Sequence, residues 1–289
     1  RQMCIRDRTQ IRSYGTKSNI KFRCQSCKGN AHNKLYEQGS QSISFTLQLT
    51  EGQMRPNYVV CLKHGDKYSA EYVNILHNMV QRHTTIPINF VCFTENAQGI
   101  DPGIEIRPIP VHPEIKGWWY KPMFFNPGLG LNGTMLYMDL DIIIFRNIDN
   151  LFTFSPGKFC VIRDFNRSIQ SNWDRMNSSI FRLEGGTGQH RQVYETFMQD
   201  PKYHAARYHG DQDWLFANVR SDFEFWPDSW IQSYKWEMRG RPEMSRATGK
   251  RNFALKGTPT ILEDTSIAVF HGDPNPKDCI DDWCKENWR

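Results

Sequence analysis

No stretch of the 289-residue chain stays apolar long enough to cross a membrane, and no secretory signal opens it. These absences set the expectation of a protein acting in the cytoplasm, with peripheral contact at the inner face of a membrane left open. The eight cysteines (Cys4, Cys24, Cys27, Cys61, Cys92, Cys160, Cys279, Cys284) are scattered and form no disulfide framework. Cys24-x-x-Cys27 with His32 has half of a zinc site's spacing, but no second pair with finger or ribbon spacing follows. Cys61, Cys92 and Cys160 fall in strand-like runs and are expected as small buried hydrophobes. Internal repeats and low-complexity tracts are missing as well, which excludes solenoids and linker-type chains.

A strong net charge is also lacking, and the modest +5 is unevenly placed. Residues 1–55 carry ten Lys or Arg against three acids, whereas the remainder holds 26 basic and 28 acidic residues. The body is near neutral, so overall charge gives no ground for a nucleic-acid surface, and no nucleic-acid partner is expected. Met3-Cys4-Ile5-Arg6-Asp7-Arg8 resembles the translation of a transposon end used in sequencing libraries, so residues 1–8 are expected to be an artefact. Residues 9–53 are polar and aperiodic and read as a disordered leader. The character changes at Met54, where a single folded domain, 54–289, is expected to begin.

What the body does contain is aromatic mass, with nine Trp and eighteen Phe, and regular patterning. Tyr58–Leu62, Ile88–Thr94 and Ile104–Ile109 read as strands. Ala70–His83 reads as a helix with Val73, Leu76 and Val80 on one face, and Trp118–Phe125 as helix-like. Further on come a strand Phe159–Arg163, a strand Ser178–Leu183, a helix Gln189–Met198, a helix from Asp211 toward Val219, and a strand Ile267–Phe270. The β-α-β-β-α-β order implies an α/β sheet that takes ligands at the carboxyl ends of its strands. Segment Ser233–Lys256, rich in Lys and Arg, reads as a mobile loop, either closing over ligands or lying as solvated surface.

Thr134–Phe145 reads T-M-L-Y-M-D-L-D-I-I-I-F and sets Asp139 and Asp141 into a run apolar on both faces. A bare D-x-D is most often a solvated loop, and Asp211-Gln212-Asp213 supplies a second. Here, two buried carboxylates would repel in low dielectric unless a cation joins them. Hard cations such as Mn²⁺ or Mg²⁺ prefer such oxygen ligands. Gly210 permits a turn before the second acidic triplet, whose carboxylates either cap a helix or face the strand ends.

Asp139-Leu140-Asp141, Asn177-Ser178-Ser179, His209-Gly210-Asp211-Gln212-Asp213 and Phe270-His271-Gly272, in that order, resemble the motifs of GT-A-fold glycosyltransferases. Within that fold the chain is similar to glycogenin-like and lipopolysaccharide galactosyltransferase-like enzymes. It resembles more closely a large bacterial group with V-V-C-L-K-x-G-x-K-Y near the start and G-W-W-x-K before the D-x-D. The resemblance runs from Asn57 to the C-terminus. It implies a GT-A (nucleotide-diphospho-sugar transferase) fold, a mixed, mostly parallel central sheet flanked by helices. It also implies a hexosyltransferase that takes a sugar from a nucleotide donor, expected to be UDP-linked, to a glycan, lipid or protein acceptor.

Residue by residue, the resemblance implies a Mn²⁺ or Mg²⁺ held by Asp139, Asp141 and His271, with Asp139 also near the ribose. Lys63 to Tyr68 would line the nucleobase pocket, Lys121 would approach the donor, and Asn177 and Ser178 would lie beside the sugar. Asp211 would hold sugar hydroxyls. Gln212 would sit under the anomeric carbon, where it or the flanking Asp211 and Asp213 would stabilise an oxocarbenium-like transition state with retention. The family's lysine soon after the His-Gly is replaced by Asp273-Pro274-Asn275-Pro276-Lys277. Either Lys277 reaches the phosphates from a shifted position or another group does. Trp118, Trp119, Trp226, Trp230 and Trp236 either stack on sugars or pack the core, and Trp214 is expected in the core. Two other readings compete. One is a nucleotidyltransferase or phosphohydrolase, disfavoured because Lys63-His64-Gly65-Asp66-Lys67 stands where a Gly-rich phosphate loop would be. The other is a non-catalytic carbohydrate or nucleotide-sugar binder.

Overall fold

Apolar runs pair into sheets in the order their spacing implies. The computed structural model describes residues 55–220, 222–240 and 258–289, with the backbone of residues 243–244 and 251–252. The leader, its transposon-like start and the Cys24–Cys27 pair lie outside the described residues. The strands are β1 (Asn57–Lys63), β2 (Ile88–Thr94), β3 (Glu105–Pro108), β4 (Thr134–Met138), β5 (Ile142–Ile144), β6 (Cys160–Arg163), β7 (Met176–Glu184), β8 (Glu224–Phe225), β9 (Ile231–Ser233), β10 (Glu243–Met244), β11 (Arg251–Asn252) and β12 (Ile267–Val269). The helices are α1 (Ala70–His83), α2 (Asp149–Thr153), α3 (Gln192–Phe197), α4 (Pro201–Arg207), α5 (Asp211–Val219) and α6 (Asp282–Asn287).

Seven strands form the main sheet in the order β3-β2-β1-β4-β7-β6-β8. It is mostly parallel, with β7 running antiparallel to both β4 and β6. Val59, Val60 and Cys61 are fully buried, as a central strand covered on both faces requires. Val59 and Cys61 enter one core with Val73, Leu76 and Val80 of α1, while Val60 enters the other with Phe124, Tyr137 and Trp214. A second, three-stranded sheet, β5-β12-β9, packs into the first of these cores. Among the described residues no helix is long and apolar enough to cross a membrane.

Several elements depart from the sequence reading. The D-x-D run is two strands in two sheets: β4 gives its last ladder bond at Asp139 N–H to Ser179 O (2.8 Å), and Asp141 O then accepts from Phe270 N–H (3.0 Å). Gly117–Phe125 is a 3₁₀ helix with Pro122, which has no N–H to donate, inside it. The expected loop beginning at Ser233 opens instead with a π-helical turn, Tyr234–Met238, whose Tyr234, Lys235, Trp236 and Met238 are buried. Its later part lies mostly outside the described residues. Trp214, Trp226 and Trp236 are core residues, Trp119 stacks on Phe197, and Trp118 is exposed.

Candidate active site

A cavity of about 300 Å³ opens where β1 and β4 end and β7 and α5 begin. All four sequence motifs reach it: Asp139 and Asp141 from the break between the sheets, Asn177 and Ser178 from β7, Asp211 and Gln212 from α5, and His271 after β12. Tyr68 and Lys121 complete the group. Lys63, Asp213 and Lys277 do not line it. Lys63 is buried on β1, and Lys277 is exposed on the single turn Pro276–Asp278. His64, Lys67, Tyr137 and Ser179 are also on the wall.

Lys121 organises the charges. Its ammonium lies 2.9 Å from one Asp139 oxygen and 3.5 Å from Asp211 Oδ2, and it donates to Ser178 O and Oγ (3.2 and 3.3 Å). Burial alone would lower its pKa, but Asp139, Asp211 and Asp141 together raise it, so the ammonium is the form the cavity holds. Burial pushes the Asp139 carboxyl up, Lys121 pulls it back and Asp141 adds to the rise. Burial likewise raises Asp211 against the pull of Lys121. Asp211 Oδ2 is buried against the Lys121 ammonium at 3.5 Å, so the Asp211 carboxylate stands on the cavity wall beside its counter-charge.

The remaining groups are each held by a neighbour. Tyr137 donates to Asp139 Oδ1 (2.7 Å), and Tyr68 to Asp141 Oδ2 (2.9 Å), which also accepts from Gly272 N–H (3.2 Å). Asn177 donates to Gln212 Oε1, and Gln212 Nε2 donates to Asp164 Oδ2, both at 3.4 Å, so the Gln212 amide is fixed from both ends. His271 stands at φ +36°, a backbone region unfavourable for a residue with a Cβ and one that clusters at functional sites. Its Nε2 is 2.6 Å from Ser233 Oγ, and its ring stacks on Phe165. Burial, with help from Lys235, lowers its pKa to about 4, so at neutral pH it is an uncharged imidazole able to ligate.

Two carboxylates and a neutral imidazole suit Mn²⁺ or Mg²⁺ in chemistry. The structure brings Asp139, Asp141 and His271 to one cavity without gathering their ligand atoms within 4.8 Å of one another. Lys121 stands where it offsets the carboxylates. Sequence reasoning missed Lys235, which donates to His271 O (3.1 Å) and Asp273 O (2.7 Å), and also Asp164 and Tyr137. None of these sits in a motif, although Tyr137 is two residues before Asp139 on the same strand face.

No protein-family model matches the sequence, and no curated protein does. Solved structures do match. A galactosyltransferase, LgtC, in complex with donor and acceptor sugar analogues aligns with a TM-score of 0.52 at 15% identity, over 79% of this chain and 93% of that one. An active-site mutant of LgtC aligns at 0.53 and 14%, with the same coverage. This is a glycosyltransferase fold. The apo form of the glycosyltransferase GlyE from Streptococcus pneumoniae TIGR4 gives 0.49 at 15% identity, over 76% of this chain and 56% of that one. In the glycosyltransferase fold of this chain, the cavity follows the carboxyl ends of parallel strands, where open α/β sheets bind ligands.

Proposed function

We propose that this chain is a metal-dependent glycosyltransferase that moves a sugar from a nucleoside-diphosphate donor, UDP-linked, to a glycan, lipid or protein acceptor, with retention of configuration. One observation carries the reading: four separated motifs, from two sheets and a helix, open on a single cavity. A divalent cation at Asp139, Asp141 and His271 would act as a Lewis acid on the departing diphosphate. The chain's own residues do the rest. Lys121 and Lys67 offer positive charge to phosphate; Lys67 is exposed on the cavity wall, its ammonium 4.7 Å from the Tyr68 ring centre, whereas Lys277 lies off the wall. The Asp211 carboxylate, on the cavity wall, accepts from a sugar hydroxyl. Gln212, its Nε2 tied to Asp164, presents its carbonyl oxygen toward developing positive charge at the anomeric carbon.

The test is a thermal-shift series on the full chain with UDP, GDP, ADP and CDP, each with and without Mn²⁺. At a ligand concentration ~100-fold above Kd, binding to the native state adds about 2.7 kcal/mol. For a domain of this size that is a rise of roughly 5–10 °C. The expected outcome is a rise with UDP that needs Mn²⁺ and is lost in Asp141→Asn. A folded protein indifferent to every diphosphate would refute the reading.

A further inference from the structure

Among the described residues, one group of three metal-competent side chains has its ligand atoms all within 4.8 Å of one another, and it lies outside the cavity: Cys279, Asp281 and Cys284. Cys279 follows the turn Pro276–Asp278, Asp281 is the N-cap of α6, and Cys284 sits in that helix's first turn. Cys279 and Cys284 are buried and free of disulfides, and the Asp281 side chain is 12% exposed. The glycosyltransferase reading uses none of them.

Asp281 does not spend its carboxylate on capping α6. Arg239 pairs with one oxygen, and the Tyr234 hydroxyl donates to the other at 2.7 Å. Metal-binding carboxylates are commonly oriented by hydrogen bonds of this kind. We propose that Cys279, Asp281 and Cys284 bind a divalent cation of the zinc class, with the Tyr234 hydroxyl holding the Asp281 carboxylate in place. Thiolates are soft donors that select zinc-class ions over Mn²⁺ and Mg²⁺, so this site and the oxygen-rich cavity sort different metals. Binding displaces the two thiol protons to solvent. Charge also closes, since two thiolates, a carboxylate, a guanidinium and a divalent cation sum to zero.

The consequence is structural. A six-residue helix is too short to be stable alone. Tyr234 also stacks on Phe270, at 4.5 Å and 13°, next to His271. A cation here would pin the C-terminal segment beneath the strand that delivers His271.

Cobalt(II) titration of the reduced full chain tests this, since thiolate ligation gives an intense near-ultraviolet charge-transfer band that zinc then abolishes. Cys24→Ser/Cys27→Ser removes the other cysteine pair close in sequence, while Cys61 and Cys92, paired across β1 and β2, stay buried in the core. That chain is expected to bind about one equivalent and to show the band, and adding Asp141→Asn should leave it intact. Cys279→Ser/Cys284→Ser should abolish it. The proposal is overturned if the Cys24→Ser/Cys27→Ser chain shows no band, or if the band survives Cys279→Ser/Cys284→Ser. It is equally overturned if peptide mapping finds a Cys279–Cys284 disulfide whose reduction restores no cobalt binding. Should the last double variant fail to fold, the Cys24→Ser/Cys27→Ser titration still decides.

Discussion

At the scale of single residues, the cavity depends on Lys121. Asp139 and Asp211 are each raised by burial, and the same ammonium opposes the rise in both. Lys121→Met keeps the length of the side chain but leaves two carboxylates without their cation. Removing one partner of a buried pair costs about 3–5 kcal/mol, and urea denaturation of the metal-free protein should show a loss of that order. A loss under about 1 kcal/mol, the worth of a surface pair, would mean that water already screens the site. His190 makes a separate case, remote from the cavity. Burial lowers its pKa, with Asp222 opposing and Lys158 assisting. The unfolded chain therefore binds more protons just below pH ~6.5, so stability is full above that value and is lost as pH falls toward the lowered folded pKa. Asn tolerates the left-handed φ of +51° at this position. His190→Asn should thus lose less melting temperature than the parent between about pH 7.5 and 5.5. An identical drop in both proteins would remove His190 from the acid response.

At the scale of elements, β7 carries a group that no strand pattern anticipates. Arg182 is fully buried and donates to Leu151 O, Phe152 O, Ser155 O and Lys158 O at 2.7–3.2 Å, which ties off the end of α2 and the turn after it. Arg182→Met fills similar space but takes the guanidinium donor from the Leu151, Phe152 and Lys158 carbonyls, whereas Ser155 O keeps the Lys158 N–H at 3.1 Å; the cost is about 1–3 kcal/mol for each carbonyl that water cannot reach. The expected result is a fall of at least about 3 kcal/mol, read from the denaturant midpoint at unchanged slope. The same comparison shows what was legible beforehand. α1 and β2 lie at the bounds their periodicity gives, because apolar spacing is a local signal. The break at Asp139–Asp141 was not legible: Met135–Met138 and Ile142–Ile144 are buried on both faces, and nothing local says that they serve different sheets. Arg182, Lys235 and the Cys279–Cys284 group were silent for a related reason. Their partners are carbonyls, a tyrosine and an arginine brought near by the fold. All four motifs reach one cavity, whereas Lys63, Asp213 and Lys277, also expected at the site, do not line its wall.

At the scale of the whole molecule, the cavity is a joint between two sheets. Asp139 ends a strand of the seven-stranded sheet, while His271 follows a strand of the three-stranded one. Between them run the backbone bond from Phe270 to Asp141 O and the bond from Gly272 N–H to Asp141 Oδ2. Cation and diphosphate bound at Asp139, Asp141 and His271 would add links across this joint, and their ligand atoms would have to draw closer than they now lie. Local opening free energy sets amide exchange, so links across the joint should slow exchange on both sides together. With UDP and Mn²⁺ present, hydrogen exchange read by mass spectrometry should fall in peptides covering 134–144, 176–184 and 267–275. α4 (Pro201–Arg207), with no residue on the cavity wall, should be unchanged. Protection confined to 134–144 would mean that the D-x-D binds its ligand without His271. The joint would then be architectural, and the three-stranded sheet would support the site without forming part of it.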